Sequence, residues 1–466
     1  MITKSEIKDL INNAEKSYSR VAEILDSVRN KENFEVLNLF DIQPILAESL
    51  YKLSCMYSEL SHEKKSYIER KSDLNNSWFT QRMRLIKKYQ KVIDYTISIG
   101  KFLGDHYAWL FYNFDRKNLQ DHYRHERIFY MPTGVGGLGE LEYVKNVKYI
   151  NNNVLIYHAT TTFLRIGDVS FFDVKKSKVT SLGEIKTKKI STDELSVNLS
   201  LVGQEKDDVR IFDQVISTHE KVSSPLSPEI QGKLNHQLSK MSKLIGEKGD
   251  TKKQSIFGDF EFNKIDEIYN ETTKSSVKHY QISDGLILVC FKPHQKTLFT
   301  KFFEDYSSGI KSKIKGIEKL VNQIVIPDSN YNQILLGNIL NPNPNNYLLP
   351  SATPFLFWPL DSKLFKEVTF HDSVFLSIYN PAHLIEKLKS HQFEIKKEGH
   401  RFFKLSSTIG GKHLDLGRLD TYINLITHEF YTEKTVVDIL LKLRDNAKEG
   451  KLPPNKKIPI DIQSSI

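Results

Sequence analysis

The chain has 466 residues, 39% hydrophobic and 26% charged, which is enough for about three ordinary domains and argues for packed cores over disorder. Lys and Arg number 66 against 57 Asp and Glu, a formal net charge of +9 that suits a polyanionic partner. Only Cys55 and Cys290 are present, which excludes a disulfide framework and a Cys-x-x-Cys metal clamp; the first residues hold no apolar signal region, and the apolar runs are too short to span a bilayer. The expectation is a cytoplasmic protein without a membrane partner.

Residues 1–126 read as a helical N-terminal region. Leu10, Ile11, Ala14, Tyr18, Val21 and Leu25 recur at helical spacing, as do Leu46, Leu50, Leu53, Met56, Tyr57 and Leu60, and a third stretch runs over 78–112. Within it Arg82, Arg84, Lys87, Lys88 and Lys91 occur with no acid between Phe79 and Ile93, either a solvated helix face or a phosphate-facing stripe. From about residue 127 the pattern turns to α/β: a helix over 140–150, strands over 154–158, 163–174 and 179–187, a helix over 233–245 and a buried strand over 280–292. Residues 296–466 give mixed signals and read as an α+β C-terminal region. It has helical patterns at 300–325, 381–390 and 434–443, strands at 393–395 and 402–405, and a turn-rich break at 340–346.

The most informative stretch is 165–186, read as a hairpin that turns around 175–178. Glu184 and Lys186 lie two apart and share one face of their strand. A two-residue Lys176-Ser177 loop would set Asp168 opposite residue 185, on the wrong face. Lys-Ser is poor chemistry for such a turn. A three-residue loop, or a bulge at Gly183, shifts the pairing by one and brings Asp168 level with Glu184 or Lys186. That register joins two carboxylates and an ammonium at one end of the hairpin. Asp168 and Glu184 would then hold Mg²⁺ or Mn²⁺ through oxygen ligands, and Lys186 would orient water or stabilise developing charge on a phosphate.

Gly-Asp at a strand start, a hairpin-length gap, and Glu184-Ile-Lys186-Thr resemble the PD-(D/E)XK nuclease superfamily. That resemblance spans about 127–295 and implies a restriction-endonuclease-like centre, a mixed sheet flanked by helices. It implies a catalytic set of Asp168, Glu184 and Lys186, joined by Glu140 from the first helix with Glu142 in reserve, and Gln237 of the second helix facing the site. It also implies a Mg²⁺-dependent endonuclease acting on DNA in preference to RNA. An anti-phage defence role, working as a homo-oligomer or with a partner protein, is the habit of such multi-region nucleases. Gly167 stands where a proline is usual.

Other signals compete. Gly134-Val-Gly-Gly-Leu-Gly139 matches a dinucleotide fingerprint, but no acid between Tyr143 and Gly167 could receive a ribose; a flexible approach to the helix bearing Glu140 is the other role. Asp121, His122 and His125 suit a metal or a solvated helix end. Six lysines and one acid lie between residues 174 and 189, so Lys175, Lys176, Lys188 and Lys189 join Arg82, Arg84, Lys87 and Lys88 as candidate nucleic-acid contacts. A non-catalytic nucleic-acid-binding scaffold is the alternative to the enzyme.

Overall fold

The structure is a computed structural model that describes residues 1–30, 36–112, 122, 131–147, 149–150, 153–173, 176, 178–190, 195–203, 209–216, 254–255, 262–274, 276–293, 297–303, 316–338, 361–398, 402–409, 412–449 and 460–461. The chain divides into two compact units: 1–249 with 296–306 and 342–350, and 250–295 with 307–341 and 351–466.

The first unit opens with three long helices, α1 (Lys4–Asn30), α3 (Ile42–Glu69) and α4 (Asn76–Tyr112), with a single turn, α2 (Val36–Leu39), before the second. The helical spacing read from the sequence is what buries Ile7, Ile11, Ala14, Tyr18, Val21 and Leu25 along one side of α1. Pro44 falls in the first turn of α3, where its missing N–H would have had no helical partner. Helix α5 (Gly134–Asn146) follows, starting earlier and ending sooner than the expected 140–150.

Six strands then run as an antiparallel meander: β1 (Tyr149–Ile150), β2 (Asn153–Tyr157), β3 (Val169–Asp173), β4 (Lys178–Lys189), β5 (Leu195–Gly203) and β6 (Val209–Ile216). β3 begins later than residue 163, because 158–168 is irregular apart from the short turn His158–Thr160. Leu141, Tyr143 and Val144 of α5 pack on Leu155, Tyr157, Val169, Phe171, Ile185, Val197, Leu199 and Leu201, which alternate along β2–β5 and so share one face. Ala47 and Leu50 of α3 enter the same core. The boundary expected at 126/127 is therefore no domain boundary; the helices and the sheet close one core together.

Gln43 makes that join specific. The two-residue β1 pairs only with Asn153 and Val154, leaving the rest of that edge of β2 without a strand. The buried Gln43 side chain takes the strand's place: its amide N–H donates to Leu155 O at 2.6 Å and its carbonyl oxygen accepts Tyr157 N–H.

In the second unit the strand expected to complete the central sheet goes elsewhere. After β7 (Gln254–Ser255), β8 (Val277–Gln281) and β9 (Leu286–Phe291) form a sheet with β10 (Leu335–Asn338) and β11 (Val374–Tyr379), in the order β10-β11-β9-β8. Every residue of β9 is buried, and hydrogen bonds to strands on both sides account for its unbroken apolar run. The expected 127–295 domain thus loses its last strand to this unit. β12 (Glu394–Glu398), β13 (Phe402–Ile409) and β14 (Lys412–Arg418) make a second sheet, and β15 (Ile460–Asp461) pairs with β7. The helices of this unit begin with α6 (Phe262–Glu271); α7 (Leu298–Phe303) belongs to the first unit, and α8 (Ile317–Ile324) and α9 (Ser362–Thr369) follow in the second. The helical patterns at 381–390 and 434–443 are α10 (Ala382–Ser390) and, beyond α11 (Leu419–Glu429), α12 (Glu433–Lys448). Among the described residues no helix is long and apolar enough to cross a membrane.

Candidate active site

The hairpin has the register that brings Asp168 level with Glu184, by a different route from either one expected. Asp173 pairs with Lys178, and an unbroken ladder from there would set Asp168 opposite Gly183, its side chain turned from Glu184. The shift occurs where Phe171 pairs with Ser181 and Phe172 with Val179, passing over Thr180. This bulge, at Thr180 and not at Gly183, moves the pairing by one residue, so that Val169 faces Gly183. Thr180 Oγ1 reaches Phe171 O at 3.2 Å and Asn153 Oδ1 at 3.1 Å, which holds the bulge in place.

Asp168 sits where β3 begins. Its N–H donates to Gly183 O at 2.8 Å, and its Oδ2 accepts Ile185 N–H at 2.7 Å, a place that strand backbone would otherwise fill. Glu184 is buried, and the Lys186 ammonium pairs with its Oε1. Glu140 comes from α5 and is also buried; Tyr157 Oη donates to its Oε2 at 2.6 Å.

The electrostatics tie these four residues together. Burial, with the charges of Glu184 and Glu140, pushes the Asp168 carboxyl well above its ordinary range; Ile185 N–H and Lys186 offset only part of this. Burial foremost, then the Glu184 charge, raises Glu140 to about 7, against the Tyr157 hydrogen bond and Lys186. Burial works against the Lys186 ammonium, yet Glu184, Asp168 and Glu140 outweigh it and hold its pKa above the ordinary lysine value. Lys186 is thus held as a cation, while burial and the crowding of Asp168 and Glu140 beside Glu184 favour the protonated forms of both. Burial and Glu140 push the Tyr157 phenol well above its ordinary value, so it stays a donor.

Glycine lets α5 deliver Glu140. A Cβ on Gly139 would lie 2.1 Å from Thr187 Oγ1, and one on Gly137 would lie 1.8 Å from Pro132 O. The helix therefore rests directly on β4, one residue beyond Lys186. Gly134, at φ 73°, opens the helix and 135–139 lie within it, so the run is neither a phosphate-cradling loop nor a flexible approach to the helix.

The remaining candidates disperse. Glu142 turns away and pairs with Lys145 at 3.4 Å, which also reaches Glu48 at 3.7 Å. Gln237, the expected helix 233–245 and Lys175 lie outside the described residues. Lys176 is exposed and 3.8 Å from Asp173; Lys188 and Lys189 are exposed at the end of β4. Arg82 is no phosphate contact: it is buried, its Nε donating to Glu63 Oε1 at 3.0 Å and its Nη2 to Ile2 O at 2.9 Å. Arg84 and Lys87 are exposed, while Lys88 lies over the Phe303 ring, 4.1 Å from its centroid. His122 is no solvated helix end but a buried hydrogen-bonding residue; Asp121 and His125 lie outside the described residues.

Sequence reasoning missed Tyr157, Gln43 and the buried role of His122. Nothing in their local spacing marks them, since each acts on residues distant in the chain.

Asp168 and Glu184 offer the oxygen donors that a hard cation takes. Among the described residues no three His, Cys, Asp or Glu side chains already form a cage for a metal ion. Lys186 occupies Glu184, and Tyr157 occupies Glu140. The chain matches no known family model, no curated protein and no solved structure.

Proposed function

We propose that the protein is a metal-dependent nuclease that hydrolyses phosphodiester bonds, in DNA in preference to RNA. The observation that carries this reading is the meeting of Asp168, Glu184 and Glu140 with Lys186 at the mouth of one hairpin, the Asp168 carboxyl on the Ile185 N–H and the Lys186 ammonium on Glu184. A helix followed by antiparallel strands, from α5 to β4, supports a restriction-endonuclease-like core; the placement of β9 in another sheet limits how far that likeness extends.

Asp168 and Glu184 would hold Mg²⁺ or Mn²⁺, and the donor set fits, because Mg²⁺ keeps several waters and needs only one or two carboxylates. When bound, the cation supplies charge that neutralises a phosphate and makes water more acidic. The chain's own residues do the rest. Lys186, held as a cation, stabilises negative charge growing on the phosphate oxygens. Glu140, titrating near 7, exchanges a proton at neutral pH. Lys188 and Lys189 continue along β4 and meet neighbouring phosphates.

The test is cleavage of DNA with Mg²⁺ or Mn²⁺, and with a chelator as control, by wild type, Asp168→Ala and Lys186→Ala. Each variant is expected to lose about 10²-fold or more, the scale of removing one stabilising group. Equal activity in all three overturns the assignment.

The Glu184–Lys186 ion pair favours a second reading, a nucleic-acid-binding scaffold whose site is closed by its own lysine. That reading expects steeply salt-dependent binding with no cleavage and no cation requirement.

A further inference from the structure

Asp168 is delivered by residues 158–168, a segment with no regular ladder beyond its first turn, buried except for the half-buried Thr162 and Asp168. Its backbone groups are met by side chains from elsewhere in the same unit. Asp105 of α4 accepts Thr162 N–H on one carboxylate oxygen and Thr162 Oγ1–H on the other, each at 2.7 Å. Helix α4 approaches this closely because residue 104 is glycine; a Cβ there would lie 1.9 Å from Thr160 O.

His122 grips the other half. Its Nδ1 accepts Arg165 N–H at 3.0 Å and Ile166 N–H at 3.2 Å. A nitrogen that accepts two N–H groups carries no proton, which places the ring proton on Nε2. Nε2 faces Tyr112 Oη at 3.2 Å, and Tyr112 donates to Ser170 Oγ at 2.9 Å. His122 therefore holds the chain on both sides of Asp168, directly at Ile166 and through Tyr112 at Ser170. His158 closes the frame, its N–H donating to Asp168 O and its Nδ1 to Gly167 O, each at 2.9 Å.

We propose that His122 and Asp105 are positioning residues for Asp168, holding its carboxylate on the Ile185 N–H and beside Glu184. Its consequence for catalysis rests on the nuclease reading; its geometric content does not. The readout is amide hydrogen exchange of the full chain at Ile185, with Val197 and Leu199 of β5 reporting the sheet itself.

His122→Ala and Asp105→Ala are expected to speed exchange at Ile185 about tenfold or more, with β5 unchanged. His122→Asn, which keeps an acceptor near the Nδ1 position, and Asp105→Asn are expected to restore most of the protection. Should the alanine variants not fold, a smaller rise confined to Ile185 in the asparagine variants supports the proposal. Unchanged exchange at Ile185, or a rise shared equally with β5, overturns it. The same variants are assayed for cation-dependent cleavage, and a loss that follows Ile185 exposure extends the positioning to catalysis. A wild type that cleaves nothing removes the nuclease reading and leaves the exchange result standing.

Discussion

Glu140 shows how a single carboxyl records its surroundings. Its folded pKa, near 7, lies above the ordinary 4.5, so between those values the folded chain holds a proton that the unfolded chain has released. Its stabilising contribution is complete below about pH 4.5 and is lost as pH rises through about 7. Asp105, raised to about 7 chiefly by burial, acts with the same sign. We expect Glu140→Gln to reduce the fall in melting temperature, measured in a chelator, as pH rises from about 6.5 to about 7.5, above the range in which the buried His106 and His158, lowered to about 4, act with the opposite sign. An identical fall in the variant would show that Glu140 is not the group responsible. At this scale the sequence was only partly legible. Asp168, Glu184 and Lys186 carry chemistry in their types and spacing, whereas Arg82 and Arg84 look alike in sequence. Only the fold sends Arg82 inward to Glu63 and leaves Arg84 in solvent.

Elements set these residues in place through two features that spacing does not reveal. The bulge at Thr180 decides which face of the hairpin Asp168 joins, and the glycines of α5 decide how closely Glu140 can come. The second feature can be tested by contrast. At Gly136 a Cβ meets nothing within 4 Å, so Gly136→Ala is expected to stabilise the protein by about 0.5–1 kcal/mol through helix propensity. At Gly139 the same change drives a methyl group into Thr187 and is expected to cost about 1–3 kcal/mol. Denaturant midpoints of the two variants would reveal the difference, and equal midpoints would show that α5 can shift freely on β4. The fingerprint reading failed here because glycine serves two ends, loop conformation and close packing, and the letters are the same for both.

For the whole molecule, the division into units follows strand pairing and not position along the chain. β9 lies before residue 296, yet it is the buried strand between β8 and β11. A fragment of 296–466 therefore lacks the strand on which β11 pairs, and it carries 296–306 and 342–350 without the rest of the first unit to which they belong. We expect that fragment to melt without a cooperative transition by circular dichroism. A sharp transition would show that β9 is dispensable.

The sequence by itself determined the helical N-terminal stretches, the turn to strands after them and the helices at 381–390 and 434–443, because periodicity is a local property that a window of residues carries. It also determined that Glu184 and Lys186, two residues apart, share one face of a strand, whereas the bulge at Thr180 decided that Asp168 joins them. Which sheet β9 enters, that α3 and the six-stranded sheet share a core, and that Gln43, Asp105 and His122 support residues far along the chain were decided by the tertiary structure alone. Each depends on a contact between distant segments, and the residues that make such a contact need only fit one another, leaving no spacing to read.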